Sequence, residues 1–247
     1  MLRFSEANTK LKKLYDVPVV QKHLKRRKIY SFDMLSGSCC PGARDCKSQV
    51  IIQDGKRTIK DGPFTKFRCF SASQEALYTG VYNLRKNNSD IVKSLARSPK
   101  LLLGALKTSL PSDAGIIRWH VAGDIINWNY MLTLCNIAKQ HPQIWFYLYT
   151  KSLPQWIKAR DLSLIPQNFR LTASRGGRYD HLIDSEGLRE ARVVFSKKEA
   201  KKLNLELDDN DWHALRTTNK SFCLLIHGQQ SAGSDASKAL QKIKLAV

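Results

Sequence analysis

From residue 116 to the end of the chain, short apolar runs alternate with helical stretches, and this alternation constrains the fold more than any other feature. Residues 116–121 (IIRWHV), 144–149 (IWFYLY), 169–173, 192–195 (RVVF) and 222–226 (FCLLI) read as buried strands. An amphipathic helix is expected over 128–140, a short helix over 154–160, and further helices over 196–203 and 237–245. Strands separated by helices can pair in parallel, because each helix carries the chain back across the sheet. The pattern predicts an α/β fold of parallel βα units. A length of 247 residues suits one α/β domain of barrel size or two small domains; with no clear linker, one domain is expected, partial or distorted TIM-barrel-like in outline.

The first half of the chain is less regular. Residues 1–27 read as a basic, partly helical lead-in without a strong core signal, and 28–247 as a single α/β domain. Residues 28–35 (KIYSFDML) read as an extended run, followed by a cysteine-bearing loop through about residue 69. Helices are expected over 71–86, capped by Ser71 or Ser73, and over 89–110, ending at Pro111. No apolar run reaches the ~18 residues that span a bilayer, and the N-terminus lacks the apolar stretch of a secretory signal. A soluble, cytoplasmic protein without a membrane partner is therefore expected.

The 41 Lys and Arg residues against 21 Asp and Glu leave a net charge of +20. Part of the excess is clustered, at Lys22, Lys25, Arg26, Arg27 and Lys28 and again at Lys197, Lys198, Lys201 and Lys202. Such patches attract DNA or RNA phosphates by Coulomb energy and counterion release, or simply form solvated helix faces. No helix-turn-helix or zinc-finger spacing accompanies them.

In parallel α/β folds the functional face lies beyond the carboxyl ends of the strands. Here those positions carry Gly123-Asp124, Thr150-Lys151-Ser152, Ser174-Arg175-Gly176-Gly177 and His227-Gly228-Gln229. Turn chemistry accounts for the glycines, but Lys151 and Arg175 point to a binding mouth. Asp124 suits an amine or ribose hydroxyl, and Lys151 and Arg175 suit a carboxylate or phosphate. His120, at a strand end, reads as a hydrogen-bonded core or rim residue. Asp208, Asp209, Asp211 and His213 read as a solvated acidic loop, since no calcium-loop pattern is present. Serine-triad, Walker and dinucleotide-binding motifs are missing.

Four of the six cysteines, Cys39, Cys40, Cys46 and Cys69, fall within one short stretch. A reducing compartment disfavours disulfides, and thiolates select zinc, copper(I) or iron–sulfur clusters. The C-x5-C unit Cys40–Cys46 is neither a paired C-x2-C zinc pattern nor the C-x3-C-x2-C of radical S-adenosylmethionine enzymes. Spacing leaves open an iron–sulfur site, a zinc site and reduced structural thiols. Cys135 reads as core.

The stretch from Tyr30-Ser31-Phe32 through Cys39-Cys40-Pro41-Gly42-Ala43-Arg44-Asp45-Cys46 resembles the opening of the phage "gene product eighty-eight"-like family. Further matches are Cys69-Phe70-Ser71-Ala72, displaced by the insertion 47–68, then 118–124 (RWHVAGD), 146–152 (FYLYTKS), Ser174-Arg175-Gly176-Gly177 and 225–229 (LIHGQ). The resemblance covers most of the chain from residue 28. It implies Cys40, Cys46 and Cys69 as thiolate ligands, with Cys39, Cys223, a histidine or an external molecule as the fourth. It also implies an outline similar to radical S-adenosylmethionine proteins. The leading expectation is a [4Fe–4S] protein with redox or radical chemistry, S-adenosylmethionine as a candidate small molecule, and a site lined by Gly123, Asp124, Lys151, Arg175 and Gly176. The alternative is a nucleic-acid-associated phage protein with a structural metal such as zinc.

Overall fold

Alternate residues of the central strands enter two different apolar cores, as expected for a sheet covered on both faces. A computed structural model describes residues 1–245 of the chain. Its strands are β1 (Ser5–Glu6), β2 (Lys28–Phe32), β3 (Ser48–Gln53), β4 (Lys56–Asp61), β5 (Ala114–Trp119), β6 (Trp145–Thr150), β7 (Phe169–Ser174), β8 (Glu190–Val194), β9 (Glu206–Leu207) and β10 (Phe222–Leu225). Eight of them form one sheet in the order β1-β2-β5-β6-β7-β8-β10-β9. Every pairing in it is parallel except that of β1 with β2. The sheet is an open row ending at β1 and β9, and no closed barrel is formed among the described residues.

Phe32, Ile117, Trp119, Phe146 and Leu148 point to one face. There they meet Leu102 and Leu106 of the helix Pro99–Ser109, Leu134 of Trp128–Gln140, and Trp156 of Leu153–Asp161. Ile29, Ile116, Tyr147 and Phe222 point to the other. That face is covered by the N-terminal segment: Leu11, Leu14, Val20 and Leu24 are all buried against it. Residues 1–27 are thus a structural layer of the sheet, and β1 extends its edge. Each fully buried Leu or Val there contributes roughly 1.5–3 kcal/mol of burial. The apolar positions are spread over two short helices and a 3₁₀ turn, so no single long period marks them in the sequence.

Two boundaries differ from those expected. The stretches 71–86 and 89–110 form three helices, Phe70–Leu77, Thr79–Leu95 and Pro99–Ser109. Proline at the first turn of the last one forces Ser98 out of the helical region (φ −122°, ψ 96°). Within the stretch read as loop, β3 and β4 pair as an antiparallel hairpin. Its turn is Asp54-Gly55, with φ of +50° and +73°. An Asp-Gly pair between alternating strands is a strong hairpin signal, and it was present in the sequence. No helix among the described residues is long and apolar enough to cross a membrane.

Candidate functional site

The loops that carry cysteines are tied down at the carboxyl ends of β2, β5, β6 and β7. After β2, one carboxylate oxygen of Asp33 accepts from the backbone N–H groups of Val121 (2.7 Å) and Ala122 (3.4 Å), and Met34 N–H donates to the Ala122 carbonyl (2.9 Å). Gly123 lies in the left-handed region (φ +89°), and a Cβ there would stand 2.8 Å from Met34 Cβ. The next turn is anchored by a buried carboxylate. Glu75 accepts from Ser36 N–H (3.0 Å) and Ser36 Oγ (2.8 Å) and pairs with Arg85 (3.1 Å).

The Cys40–Cys46 loop is held by the chain that follows β7. Asp45 N–H donates to the Gly176 carbonyl and Arg178 N–H to the Gly42 carbonyl, both at 2.9 Å, and Ala43 bridges Gly177. A Cβ on Gly42 would collide with the backbone carbonyl of Lys151, and one on Gly177 would lie 3.0 Å from the Gly42 carbonyl oxygen. The glycines of the Cys-Pro-Gly-Ala and Ser-Arg-Gly-Gly motifs therefore serve the same close approach. Gly176 and Gly177 N–H groups donate to the Asp180 carboxylate (2.9 and 2.8 Å), which holds the clamping turn.

The segment carrying Cys69 is drawn back onto this loop. Lys66 and Phe67 N–H donate to the Asp45 carbonyl (2.7 and 3.2 Å), and Gly62 N–H to that of Lys47 (2.6 Å). The hairpin β3–β4 thus closes the 47–68 insertion and returns the chain to where it left. Cys69 caps the helix Phe70–Leu77 in extended conformation. That helix is fixed by Ser71 Oγ donating to the Val121 carbonyl (3.1 Å) and Ser73 Oγ to that of Gln229 (3.2 Å).

Cys40, Cys46 and Cys69 consequently line one cavity of ≈ 160 Å³, together with Val121 to Asp124, Lys151, Ser174, Ile226 and His227. Burial, and then the neighbouring Asp124 and thiols, push the Cys40 thiol well above its usual range. Burial likewise pushes Cys46 up to about 11, with the Lys151 charge opposing it. Cys39 packs in the main core and Cys223 beside Val194 and Ala200, and neither lines the cavity. Cys135 is buried core, as expected. Among the described residues no group of three or more His, Cys, Asp or Glu side chains is arranged to hold a metal ion.

The polar residues at the strand ends are engaged with the protein itself. One Asp124 oxygen accepts from Ile125 N–H (2.7 Å) and Thr150 Oγ1 (2.6 Å), the other from Lys151 N–H (2.8 Å). Lys151 Nζ donates to the carbonyls of Ser174 (2.7 Å) and Arg175 (2.8 Å) and to Ser174 Oγ (2.9 Å). Arg175 pairs with Glu190 and with Asp184 (2.6 Å). Gly123, Asp124 and Lys151 line the cavity, whereas Arg175 and Gly176 do not; the Gly176 carbonyl holds the cysteine loop at Asp45 N–H.

His120 departs from the hydrogen-bonded histidine expected. It is 3% exposed, and neither ring nitrogen has a partner. Its backbone is left-handed (φ +62°), the residue lines the same cavity, and its ring packs among Phe32, Trp119 and Tyr130. Burial, with Arg118 adding to it, pushes its pKa down to about 3.

The acidic segment corrects the sequence reading in part: Asp208 and Asp211 belong to a buried ion network, while Asp209 is exposed as expected and pairs with Lys13 (3.0 Å). Asp211 is fully buried, pairs with Arg118 and Lys10 (2.7 Å), and accepts from the hydroxyls of Tyr147 and Tyr149, both at 3.1 Å. Asp208 accepts from Asp211 N–H (2.8 Å) and pairs with His213 (2.8 Å) and Lys10 (3.3 Å). Its cations come from residues 10 and 118, too distant in sequence to be paired by inspection. Arg118 and Lys10 also line a second cavity of ≈ 370 Å³, which shares Arg118, Phe70 and His227 with the first.

This network sets an expected pH dependence. The hydrogen bond to Asp208 raises the His213 pKa above 6.5, against the opposing effect of burial. Burial opposes ionisation of Asp208, but His213 and Lys10 more than offset it and lower its pKa to about 2. The His213 contribution is complete below pH 6.5 and is lost as pH rises through the raised value. The Asp208 contribution is complete above 3.8 and is lost as pH falls toward 2. Thermal unfolding should show the alkaline decline shrinking in His213→Gln, and an unchanged pH profile in that variant would refute the assignment.

Comparison with known proteins adds one finding. A family model described as Gene product 88 matches residues 2–243, nearly the whole chain, so the chain belongs to that family. No curated protein and no solved structure is similar enough to match.

Proposed function

We propose that this gene product 88 protein holds a [4Fe–4S] cluster on Cys40, Cys46 and Cys69. The observation that carries the reading is convergence: three cysteines, separated by up to a whole hairpin, border one cavity at the carboxyl ends of the parallel strands. Thiolates sharing one zinc at ~2.3 Å would lie within roughly 4 Å of one another. Among the described residues no group of three or more is arranged around a single metal ion, and a cluster, unlike one zinc, places its thiolates on separate irons. The cavity is comparable in volume to an engineered one of ~150 Å³ that admits benzene, so there is room for an inorganic core.

Three thiolates leave one iron to a non-cysteine donor. A cluster bound there would supply one-electron chemistry. The adjoining 370 Å³ cavity offers room for a small molecule, with S-adenosylmethionine the candidate if the chemistry is radical. Lys151, Asp124 and Arg175 would act by holding the strand ends and the cysteine loop in register. The open row of parallel strands is compatible with a partial-barrel outline, and a reducing host cytoplasm would keep the thiols available.

Protein purified without air should be brown and contain iron and acid-labile sulfide in equal amounts. A colourless protein with zinc would transfer support to a structural metal site, and a metal-free one would overturn both. A second reading concerns nucleic acid. Lys197, Lys198, Lys201 and Lys202 are all exposed on the helix Lys197–Lys202, and none forms an ion pair among the described residues. Binding to random DNA that weakens steeply with salt would support it, and no binding at low salt would remove it.

A further inference from the structure

We infer that the turn carrying Phe64 and the hollow beside it seat a single strand of nucleic acid. The inference rests on the nucleic-acid reading above, to which it gives a contact surface, and is independent of the cluster. A cavity of ≈ 260 Å³ opens at the cysteine loop, lined by Ala43, Arg44, Lys47, Pro63, Phe64 and Arg178. Three of these residues are cations, and the phenyl-bearing one is 67% exposed. An isolated exposed apolar side chain calls for no account. A phenyl sharing a concavity with three cations matches a nucleotide, whose base has a face to stack on a ring and whose phosphate is an anion for Arg and Lys.

The turn is built to hold Phe64 out. Thr65 N–H donates to the Gly62 carbonyl (3.2 Å), closing a four-residue turn with Pro63 and Phe64 at its centre. The Lys47 carbonyl accepts from Gly62 N–H (2.6 Å) and from Thr65 Oγ1 (2.7 Å), which fastens both ends of the turn to the start of the hairpin. Little backbone freedom is therefore lost when a base stacks there. Phe67, three residues on, behaves differently and packs edge-on against Phe195 (6.3 Å).

The charge around the turn is largely uncommitted. Lys47 and Arg178 form no ion pair among the described residues, and the one carboxylate near Arg44, that of Asp45 (3.5 Å), is shared with Lys66 (2.9 Å). Lys56 and Lys60 are exposed along β4, which leads into the turn. Cations beyond the hollow suit a chain of phosphates rather than one free nucleotide. Bases in a duplex are stacked on one another, so only an unpaired strand offers a face to Phe64. No neutral hydrogen-bonding side chain lines the hollow to single out a ribose 2′-hydroxyl, so the sugar is not what is read. Ala43 also borders the cavity of the three cysteines, so a strand seated here runs along the Cys40–Cys46 loop.

The test is fluorescence anisotropy of a labelled oligothymidylate titrated with the full-length protein at low salt. Phe64→Ala should weaken strand binding at least about fivefold, Phe64→Trp should restore it, and binding to a duplex should be the same in all three proteins. Lys47→Gln and Arg178→Gln should each flatten the salt dependence by about 0.7 in logarithmic slope. Phe64 lies outside the hydrophobic cores, so its replacement leaves the fold intact. The helix Lys197–Lys202 has four lysines and no aromatic residue. Strand binding untouched by Phe64→Ala, and lost only when those four lysines become glutamine, would overturn this inference and leave the nucleic-acid reading standing. Thymidine monophosphate bound as tightly as the strand would overturn it in favour of a free nucleotide. No binding of strand or duplex at low salt would overturn both.

Discussion

Serine in place of Cys40, Cys46 or Cys69 is expected to remove the iron from the protein in each case, with little effect on folding of the apoprotein. A hydroxyl is a hard, weakly acidic donor and does not replace a thiolate on iron. Loss even of residues that merely support metal ligands costs 10–100-fold in affinity, so loss of a ligand should cost more than about 100-fold. The three residues are half-buried overall although burial dominates at the Cys40 and Cys46 sulfurs, and serine is close to cysteine in size, so the substitution is expected to disturb little else. Cys135→Ser should behave in the opposite way. It places a hydroxyl in the main core, costs about 1–3 kcal/mol, and leaves the iron content unchanged. Iron and sulfide analysis alongside urea unfolding separates the two outcomes. Retention of full iron by any one of the three single variants would remove that cysteine from the ligand set.

The second large effect is expected from Asp211→Asn. The carboxylate neutralises Arg118 and Lys10 and accepts from two tyrosine hydroxyls, so its charge cannot be lost locally. Removing one partner of a buried pair costs about 3–5 kcal/mol, a large share of the ~5–15 kcal/mol that stabilises a typical domain. Asparagine has nearly the same shape and tolerates the left-handed backbone found here (φ +66°), so the variant isolates charge from strain. Replacing Arg118 by Met in the same chain should restore part of the loss, because an uncompensated cation then disappears. A midpoint in urea equivalent to a loss under about 1 kcal/mol would show that the network does not stabilise the fold as its geometry implies.

Much of the site was legible before any coordinates. The positions of β5 to β8 and β10 follow from runs of apolar, β-branched and aromatic residues bounded by turns, and the helix Trp128–Gln140 coincides with its apolar period. Their alternation implied a parallel sheet, and a parallel sheet places the chemistry at the carboxyl ends of its strands. Gly123, Asp124 and Lys151 occupy such strand ends and line the cavity. In the sequence the cysteine loop and the Ser-Arg-Gly-Gly turn are separate motifs. Their shared purpose, the contact of Gly42 with Lys151 and Gly177, is a fact about two backbones far apart in sequence.

What was not legible has a common origin. Asp208 and Asp211 look like solvent-loving residues until Lys10 and Arg118 are brought to them by the packing of the N-terminal segment. Residues 1–27 read as a lead-in without a strong core signal because their buried leucines and valine belong to three short elements rather than one periodic helix. Arg175 looks like an anion receptor until Glu190 and Asp184 occupy it. His120 looks like any histidine at a strand end until its ring is found without a partner. The chain's own order therefore determined the element types, the family and the strand ends at which to look, since these depend on local periodicity and short motifs. Which charges neutralise one another, which cysteines share a cavity and which imidazole is left unsatisfied were decided only in three dimensions. Desolvation and pairing depend on what surrounds a group in space, and the residues that set it need not be neighbours in sequence, as Lys10 with Asp208 and Arg118 with Asp211 demonstrate.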